Sequence, residues 1–250
     1  MEKEGYYVYC IIATSEKRNF GPLGMGGRGD DVFTVGFNDL SMVVSNHPMI
    51  KVIVSRENML LHEKVIEEVM KDFDSVLPVR FSTIASSVDE IRNILQKKYE
   101  EFKDGLTKMN HKVELGVKGV WENIDTVFQK IVQDNKEIKR LKEKIQNEAG
   151  EKFIQAKMEL GRMVKQALAN KKEQEAEKIV NILRKTALDY RLNKTMNDKL
   201  FMNAAFLVDK KQEESFDTSM EYLADKYKHE IRFIYAGPLP VFNFMCITII

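Results

Sequence analysis

The sequence predicts an α+β protein of two domains, each a mixed or antiparallel sheet with helices on one face, with a long helix in the second half. Three observations predict this. Leu200, Met202, Ala204, Phe206 and Val208 make one face of a strand whose other face carries Phe201, Ala205 and Leu207, the pattern of a central strand covered twice. Phe216, Met220, Leu223 and Tyr227 recur at helical spacing, a single apolar stripe for a sheet to cover. Lys112–Trp121 alternates, with Val113, Leu115, Val117 and Trp121 on one face and Lys112, Glu114 and Lys118 opposite.

The first domain, residues 1–110, opens on the strand Tyr6–Ala13, rich in β-branched and aromatic residues. Phe20–Asp31 holds five glycines and reads as a loop. It runs into Asp30-Asp31 and a strand; a phosphate cradle would need Lys and Ser/Thr opening a helix. Val32–Phe37 and Leu40–Ser45 flank Asn38-Asp39 as a tight hairpin. A helix begins after the N-cap Ser55, with Met59, Ile66, Val69, Met70 and Phe73 as its apolar face. His62-Glu63 lacks a second histidine one turn on, since position 66 is Ile, so no zinc site is predicted there and His62 is a packing or surface residue. Ser75–Ser82 is short, apolar and interrupted by Pro78, which places it at a sheet edge or a strand entry. Arg80 there either points to water or contacts a partner or another domain. Ser87 and Glu90 form a capping box for a helix with Val88, Ile91, Leu95, Tyr99 and Phe102 as its stripe, and Gly105 is its expected stop.

The second domain, residues 111–250, follows the strand 112–121 with three helical patterns inserted over about 122–185. The third, from about Glu151 to Lys185, would span roughly 50 Å at 1.5 Å per residue. Its middle, Asn170–Lys178, is polar all round and reads as a solvated stretch or kink zone. Strands at 187–193, 199–208 and 230–236, with a helix at 213–228, complete the split βαββαβ order of ferredoxin-like domains.

Composition narrows the classes. The 39 basic and 38 acidic residues leave a net charge of +1, so bulk charge points neither to nucleic acid nor to an anionic membrane. No apolar run approaches the roughly 20 residues of a membrane span, and the charged N-terminus lacks the order of a signal peptide; the expectation is a cytoplasmic protein. Cys10 and Cys246 lie in apolar, strand-like runs and read as two buried thiols, with a bridge left open. The four histidines fall in separate elements with no shared spacing, and no nucleophile–base or metal constellation is apparent. The expectation is a protein that is not an enzyme and carries no cofactor or metal.

Six stretches, in order and spacing, resemble the gas vesicle accessory proteins F and L (GvpF/GvpL): Ser55–Met70, Leu77–Thr83, Val113–Trp121, Met158–Arg162, Asn203–Asp209 and Gly237–Phe244. Leu239, Val241 and Phe242 stand where that family usually has Trp, Pro and Tyr. The resemblance implies a non-enzymatic assembly factor or minor structural component of gas vesicles. It would bind the small hydrophobic shell protein (GvpA type) and other accessory proteins, in the cytoplasm, associated with gas vesicles. An amphipathic shell subunit could be shielded by strand addition at a sheet edge or by a helix taken into an apolar groove. Both Pro78–Phe81 and Leu239–Met245 are apolar yet contain or follow prolines, so neither suits a sheet centre. The candidate partner-binding residues are therefore Pro78, Arg80, Phe81, Leu239, Phe242, Phe244 and Met245. The apolar tail Met245–Ile250 either pairs as a final strand or waits for a partner. The alternative function is a ferredoxin-like RNA- or small-molecule-binding module, although Lys199–Phe206 does not carry the aromatic strand motif that RNA-binding sheets use.

Overall fold

The computed structural model describes residues 3–146 and 149–249. Its strands are β1 (Glu4–Ala13), β2 (Val32–Phe37), β3 (Leu40–Pro48), β4 (Val76–Pro78), β5 (Ile84–Ala85), β6 (Lys112–Trp121), β7 (Asp189–Leu192), β8 (Leu200–Asp209) and β9 (Ile231–Leu239). Its α-helices are α1 (Arg56–Met70), α2 (Val88–Lys97), α3 (Tyr99–Met109), α4 (Ile124–Asp134), α5 (Lys136–Ile145), α6 (Gly150–Leu183) and α7 (Glu213–Lys226). The chain forms two compact units. The first comprises the described residues up to Leu115, together with Leu207–Lys210 and the segment from Gly237 onward. The second comprises Gly116–Phe206 and Lys211–Ala236.

The first unit is built on an antiparallel sheet of order β2-β3-β1-β4, with β5 also paired to β1. The predicted hairpin is present, and Asn38 at its turn has φ 54°, a conformation Asn tolerates. β1 is central and buried on both faces. Its register shifts between Val8 and Cys10, which lets Tyr9 and Cys10 both face the α1 side. On that side Tyr7, Tyr9 and Ile12 pack with Val65, Ile66 and Val69 of α1 and with Met25 of the glycine-rich loop. On the other side Val8, Ile11, Met42 and Val44 meet Ile91 and Leu95 of α2 and Phe102 and Leu106 of α3.

Local signals place the helix starts. Ser55 Oγ accepts from the Asn58 N–H at 3.1 Å, and Ser87 Oγ accepts from the Glu90 N–H at 3.1 Å. The Glu90 carboxylate closes back on the N–H of Ser86 at 2.6 Å, one residue before the cap, so the box is offset from its usual pairing. The predicted single helix after Ser87 is two, because Lys98 leaves the helical region at φ −110°, ψ 22°. Gly105 does not stop the second of them. It sits inside α3, and a β-carbon there would lie 3.0 Å from Leu77 Cδ1, so its role is close approach of α3 to β4.

The second unit is built on a four-stranded sheet of order β7-β8-β6-β9. With β6 as first strand, this is the split βαβ order expected from the sequence, and β8 occupies an inner position as its two apolar faces required. Trp121 stacks on Phe201 with ring centroids 5.0 Å apart, and Phe206, Phe216 and Tyr235 form a second run of ring contacts. α4 and α5 pack on α6. The polar middle of α6 is part of one continuous helix and is mostly solvated, with Ala176 its buried member. Lys171 and Lys178 both pair with Glu175, at 3.3 and 3.0 Å, while Ala176, Ile179 and Val180 are buried beside it.

Two further expectations are corrected. Cys10 is fully buried, but Cys246 is exposed, and both are free thiols. Glu114, expected on the outer face of β6, is 4% exposed.

A β-carbon at Gly119 would overlap the Phe201 ring. Gly119→Ala should therefore lower stability by about 1–3 kcal/mol, the usual range for overpacking. The check is a lower midpoint in urea unfolding with an unchanged slope; an unchanged midpoint would mean that the ring moves aside freely.

Candidate functional site

The exposed edge that Pro78 suggested is already covered, and the cover is the chain's own C-terminal tail. β4 pairs with β1 on one side. On the other, Ile247 bridges Val79 in parallel: its N–H donates to the Pro78 carbonyl at 2.8 Å, and its carbonyl accepts from the Arg80 N–H at 2.9 Å. The tail alternates as a strand does, with Ile247 buried, Met245 and Ile249 half-buried, and Cys246 and Thr248 exposed. Met245, Ile247 and Ile249 lie on the core beside α2 and α3. This alternation turns Cys246 outward.

A turn ahead of the tail is clamped by a carboxylate. Glu114 accepts from the Asn243 N–H at 2.9 Å and from the Asn243 side-chain amide at 2.6 Å. Burial pushes the Glu114 carboxyl above its ordinary range, and the Asn243 bonds partly offset that. Just before the turn, Gly237 has φ 150°, and a β-carbon there would lie 2.5 Å from Leu115 Cδ2, so only glycine allows the approach. Two of the stretches that carry the family resemblance, Val113–Trp121 and Gly237–Phe244, thus meet through Glu114 and Asn243. Glu114 escaped the sequence reading because its partner lies 129 residues away.

Behind the edge lies a buried polar and aromatic cluster. The Ser82 N–H donates to Tyr7 Oη at 3.0 Å, Tyr7 Oη lies 3.1 Å from His62 Nδ1, and His62 Nε2 lies 3.1 Å from the Val79 carbonyl. Since Val79 O only accepts, Nε2 carries the proton and Nδ1 accepts from Tyr7: a neutral imidazole satisfied at both nitrogens. Burial holds His62 down at about 4 and raises Tyr7; Tyr9, bonded to Ser45 and to the Met25 N–H, is raised to about 12. His47 joins the same cluster, 5.8 Å from the Tyr7 ring, so two histidines from separate elements converge here. Among the described residues no group of His, Cys, Asp and Glu is placed to hold a metal ion.

In front of the edge is an open cavity of about 720 Å³. Arg80, Phe81, Ser82 and β5 form one wall, Lys51, Val54 and Met59 another, and Thr248 and Ile249 of the tail contribute to it. Val54 and Met59 of its lining belong to an exposed apolar segment, the collar Met49–Leu60, in which Met49, Ile50, Ile53, Val54, Met59 and Leu60 are between 39% and 78% exposed. Ser82 ties this collar to the cluster behind: its Oγ accepts from the Val52 N–H at 3.0 Å, and these two bonds hold it at φ 64°. The sequence reading missed the collar. The available signal was five apolar residues, Met49, Ile50, Val52, Ile53 and Val54, in a stretch with no strand or helix period between Pro48 and the capped α1.

The predicted partner-binding residues divide accordingly. Pro78 is buried and gives its carbonyl to the tail; Phe81 is half-buried, 5.7 Å from the His62 ring; Phe242 is half-buried, 5.9 Å from the same ring. Leu239, Phe244 and Met245 are half-buried. Arg80 is exposed and lines the cavity. Pro78, Phe242 and Met245 are thus built into the fold of the first unit, and Arg80, exposed, and Phe81, half-buried, are the members of the set that line the cavity.

By its fold the chain is an α+β protein of two antiparallel sheets, the second in ferredoxin-like order. That architecture is shared with crystal structures of the gas vesicle protein GvpF from Anabaena sp. PCC7120 (TM-score 0.79, 21% identity) and Microcystis aeruginosa (TM-score 0.78, 20% identity), each alignment covering 96% of this chain and 98% of the other. The chain belongs to the family described as gas vesicle synthesis protein GvpL/GvpF, which matches residues 5–246. Its relatives include gas vesicle protein F of a Streptomyces species, 28% identical over 96% of this chain and 98% of that protein. Gas vesicle proteins F1 and L1 of Halobacterium salinarum are 25% and 23% identical, over 98% and 96% of this chain and 95% and 90% of theirs. Family membership supports a role in gas vesicle formation.

Two variants test this site. Unfolded histidine titrates near 6.5 and folded His62 near 4, so the stability it contributes is complete above 6.5 and is lost as pH falls toward 4, by about 3 kcal/mol. His62→Phe should cost about 1–3 kcal/mol at pH 7.5 by orphaning the Val79 carbonyl and the Tyr7 hydroxyl, yet lose less than wild type between pH 6.5 and 4 in urea unfolding. Parallel pH profiles would refute the neutral, buried imidazole. Glu114→Leu should cost about 1–3 kcal/mol by removing two hydrogen bonds to Asn243, with Glu114→Gln milder because it can still accept the side-chain bond. Equal losses in the two, by the same measurement, would show that the clamp is not a hydrogen-bonding device.

Proposed function

We propose that this protein acts in gas vesicle formation as a non-enzymatic accessory protein that holds the hydrophobic shell protein before it polymerises. Other accessory proteins of the vesicle are its further partners, and its place is the cytoplasm, at growing gas vesicles. The observation that carries the reading is the cavity of the first unit, whose lining includes the exposed Val54 and Met59. Exposed apolar residues gathered at one concavity mark a surface meant to be covered. The lining suits an amphipathic segment: Val54, Met59 and Ile94 supply apolar contact, while Arg80 and Lys51 at the rim would meet polar or acidic groups. Methionine in such a lining adapts to irregular apolar partners. No helix among the described residues is long and apolar enough to cross a membrane, which is consistent with a holder that works from the aqueous side.

The test is co-expression of tagged shell protein with this chain, followed by capture on the tag. A double variant Val54→Asp, Met59→Asp should reduce capture about tenfold or more, since losing even one buried aliphatic contact is worth about 1.5–3 kcal/mol. Arg80→Glu should weaken capture less. Wild-type capture by both variants, with unfolding midpoints unchanged, would remove the collar as the shell-protein surface.

A further inference from the structure

The second unit leaves part of one sheet face uncovered. Val120 of β6, Leu200 of β8 and Ile234 of β9 come from three adjacent strands and line one open groove of about 560 Å³. Strand alternation sets Lys118 and Val120 on the face of β6 opposite the buried Val117 and Trp121. α4 adds Ile124 and Phe128 to the lining. Val120, Ile124, Phe128 and Leu200 are half-buried and Ile234 is exposed, so the floor is apolar and within reach of a ligand.

The rim of this groove is cationic, although the chain as a whole carries a net charge of only +1. Lys118, Lys199 and Arg232 are exposed and line it, against one carboxylate among the described residues, Asp198. Asp198 also acts on the Lys172 ammonium, outside the lining. Lys118 and Lys199 have no carboxylate partner among the described residues. Arg232 has Glu122 at 3.7 Å, beyond hydrogen-bond range, so its planar N–H fork remains open to an acceptor.

We infer that this groove is a second docking surface, whose occupant is an amphipathic helix of a partner protein with an apolar stripe flanked by Asp and Glu. The stripe would rest on Val120, Leu200 and Ile234 beside α4, giving the bare part of the sheet a helical cover. The flanking carboxylates would meet Lys118, Lys199 and Arg232, the last able to hold a carboxylate on two N–H groups. A helix with basic flanks would set like charges together, so the rim selects by sign as well as by shape.

The inference goes beyond the shell-holding reading, which rests on the first unit, and its test uses no gas vesicle component, so each can fail alone. The probe is a fluorescent amphipathic peptide of about five helical turns, roughly 18 residues, with Leu at helical spacing flanked by Glu. By anisotropy, the full chain should bind it about tenfold tighter than the analogue with Lys in place of Glu, and more weakly as salt is raised. Lys118→Glu with Lys199→Glu should weaken binding about tenfold, and so should Ile234→Asp. Lys139→Glu with Lys142→Glu makes the same charge change on α5, outside the groove, and should leave binding within about twofold. All these side chains are exposed, so unfolding midpoints should hold. On titration the Val120 and Ile234 amide resonances should shift. Equal losses from the two lysine pairs would reduce the effect to bulk charge and overturn the inference, as would shifts confined to Val54 and Met59. Shifts at Val120 and Ile234 with dodecanoate but not with the peptide would make the groove an acyl-anion site and overturn it too.

Discussion

A sheet edge in water presents unpaired N–H and C=O groups, and every fold must cover, charge or shorten it. In the first unit that constraint is met from the opposite end of the sequence. β4 is kept to three residues by Pro78, and its outer groups at Pro78 and Arg80 go to Ile247. The far edge is treated similarly: Thr34 on β2 donates its N–H to the Arg18 carbonyl, and the Val32 N–H goes to Gly21, so the segment leading into the glycine-rich loop lies along it. The first unit is therefore complete only once residues after 237 have joined it. Its stability depends on the last stretch of chain as much as on the first.

The same unit buries polar groups without leaving them unsatisfied. Tyr7, Tyr9, Ser45, His47 and His62 are all buried, and no buried side-chain nitrogen or oxygen among the described residues lacks a partner. Apart from the bond of His47 to the adjacent Pro48 carbonyl, the bonds named here join segments distant in sequence: Tyr7 to Ser82, His62 to Val79, Tyr9 to Met25. Low local dielectric makes such a network costly to break, which favours one arrangement of the loops around it. The left-handed Ser82 and the collar segment at Val52 are held by this network, so the geometry in front of the edge is set from behind it. The Arg28-Gly29-Asp30 tripeptide is likewise used internally, with Arg28 paired to Asp30 at 2.7 Å and to Glu4 at 3.1 Å.

Much of this was legible in the sequence, and the reason is local. Period-2 and period-3.6 patterns report burial one element at a time, so β6, β8, α7 and the ferredoxin-like order could be read directly. Ser55 and Ser87 marked helix starts because a cap bonds within three residues of itself. The same logic explains the misses. Gly105 reads as a stop from propensity alone, yet its lack of a side chain serves contact with Leu77. The polar middle of α6 reads as solvated, and of its residues only Ala176 is buried. Of the candidate site, Arg80 was left open between water and a partner and is exposed; Met59, expected on the apolar face of α1, is 51% exposed, and residues 49–54 went unseen because they follow no period.

By itself the sequence determined the element types, the two-sheet α+β class and the family, because these rest on short-range periodicity, caps and motif order. Only the tertiary structure decided which face each helix covers, that Glu114 turns inward to clamp Asn243, and that the tail occupies the β4 edge. Those outcomes are pairings between residues from about fifty to more than a hundred and sixty positions apart, and no local pattern encodes which distant groups will meet.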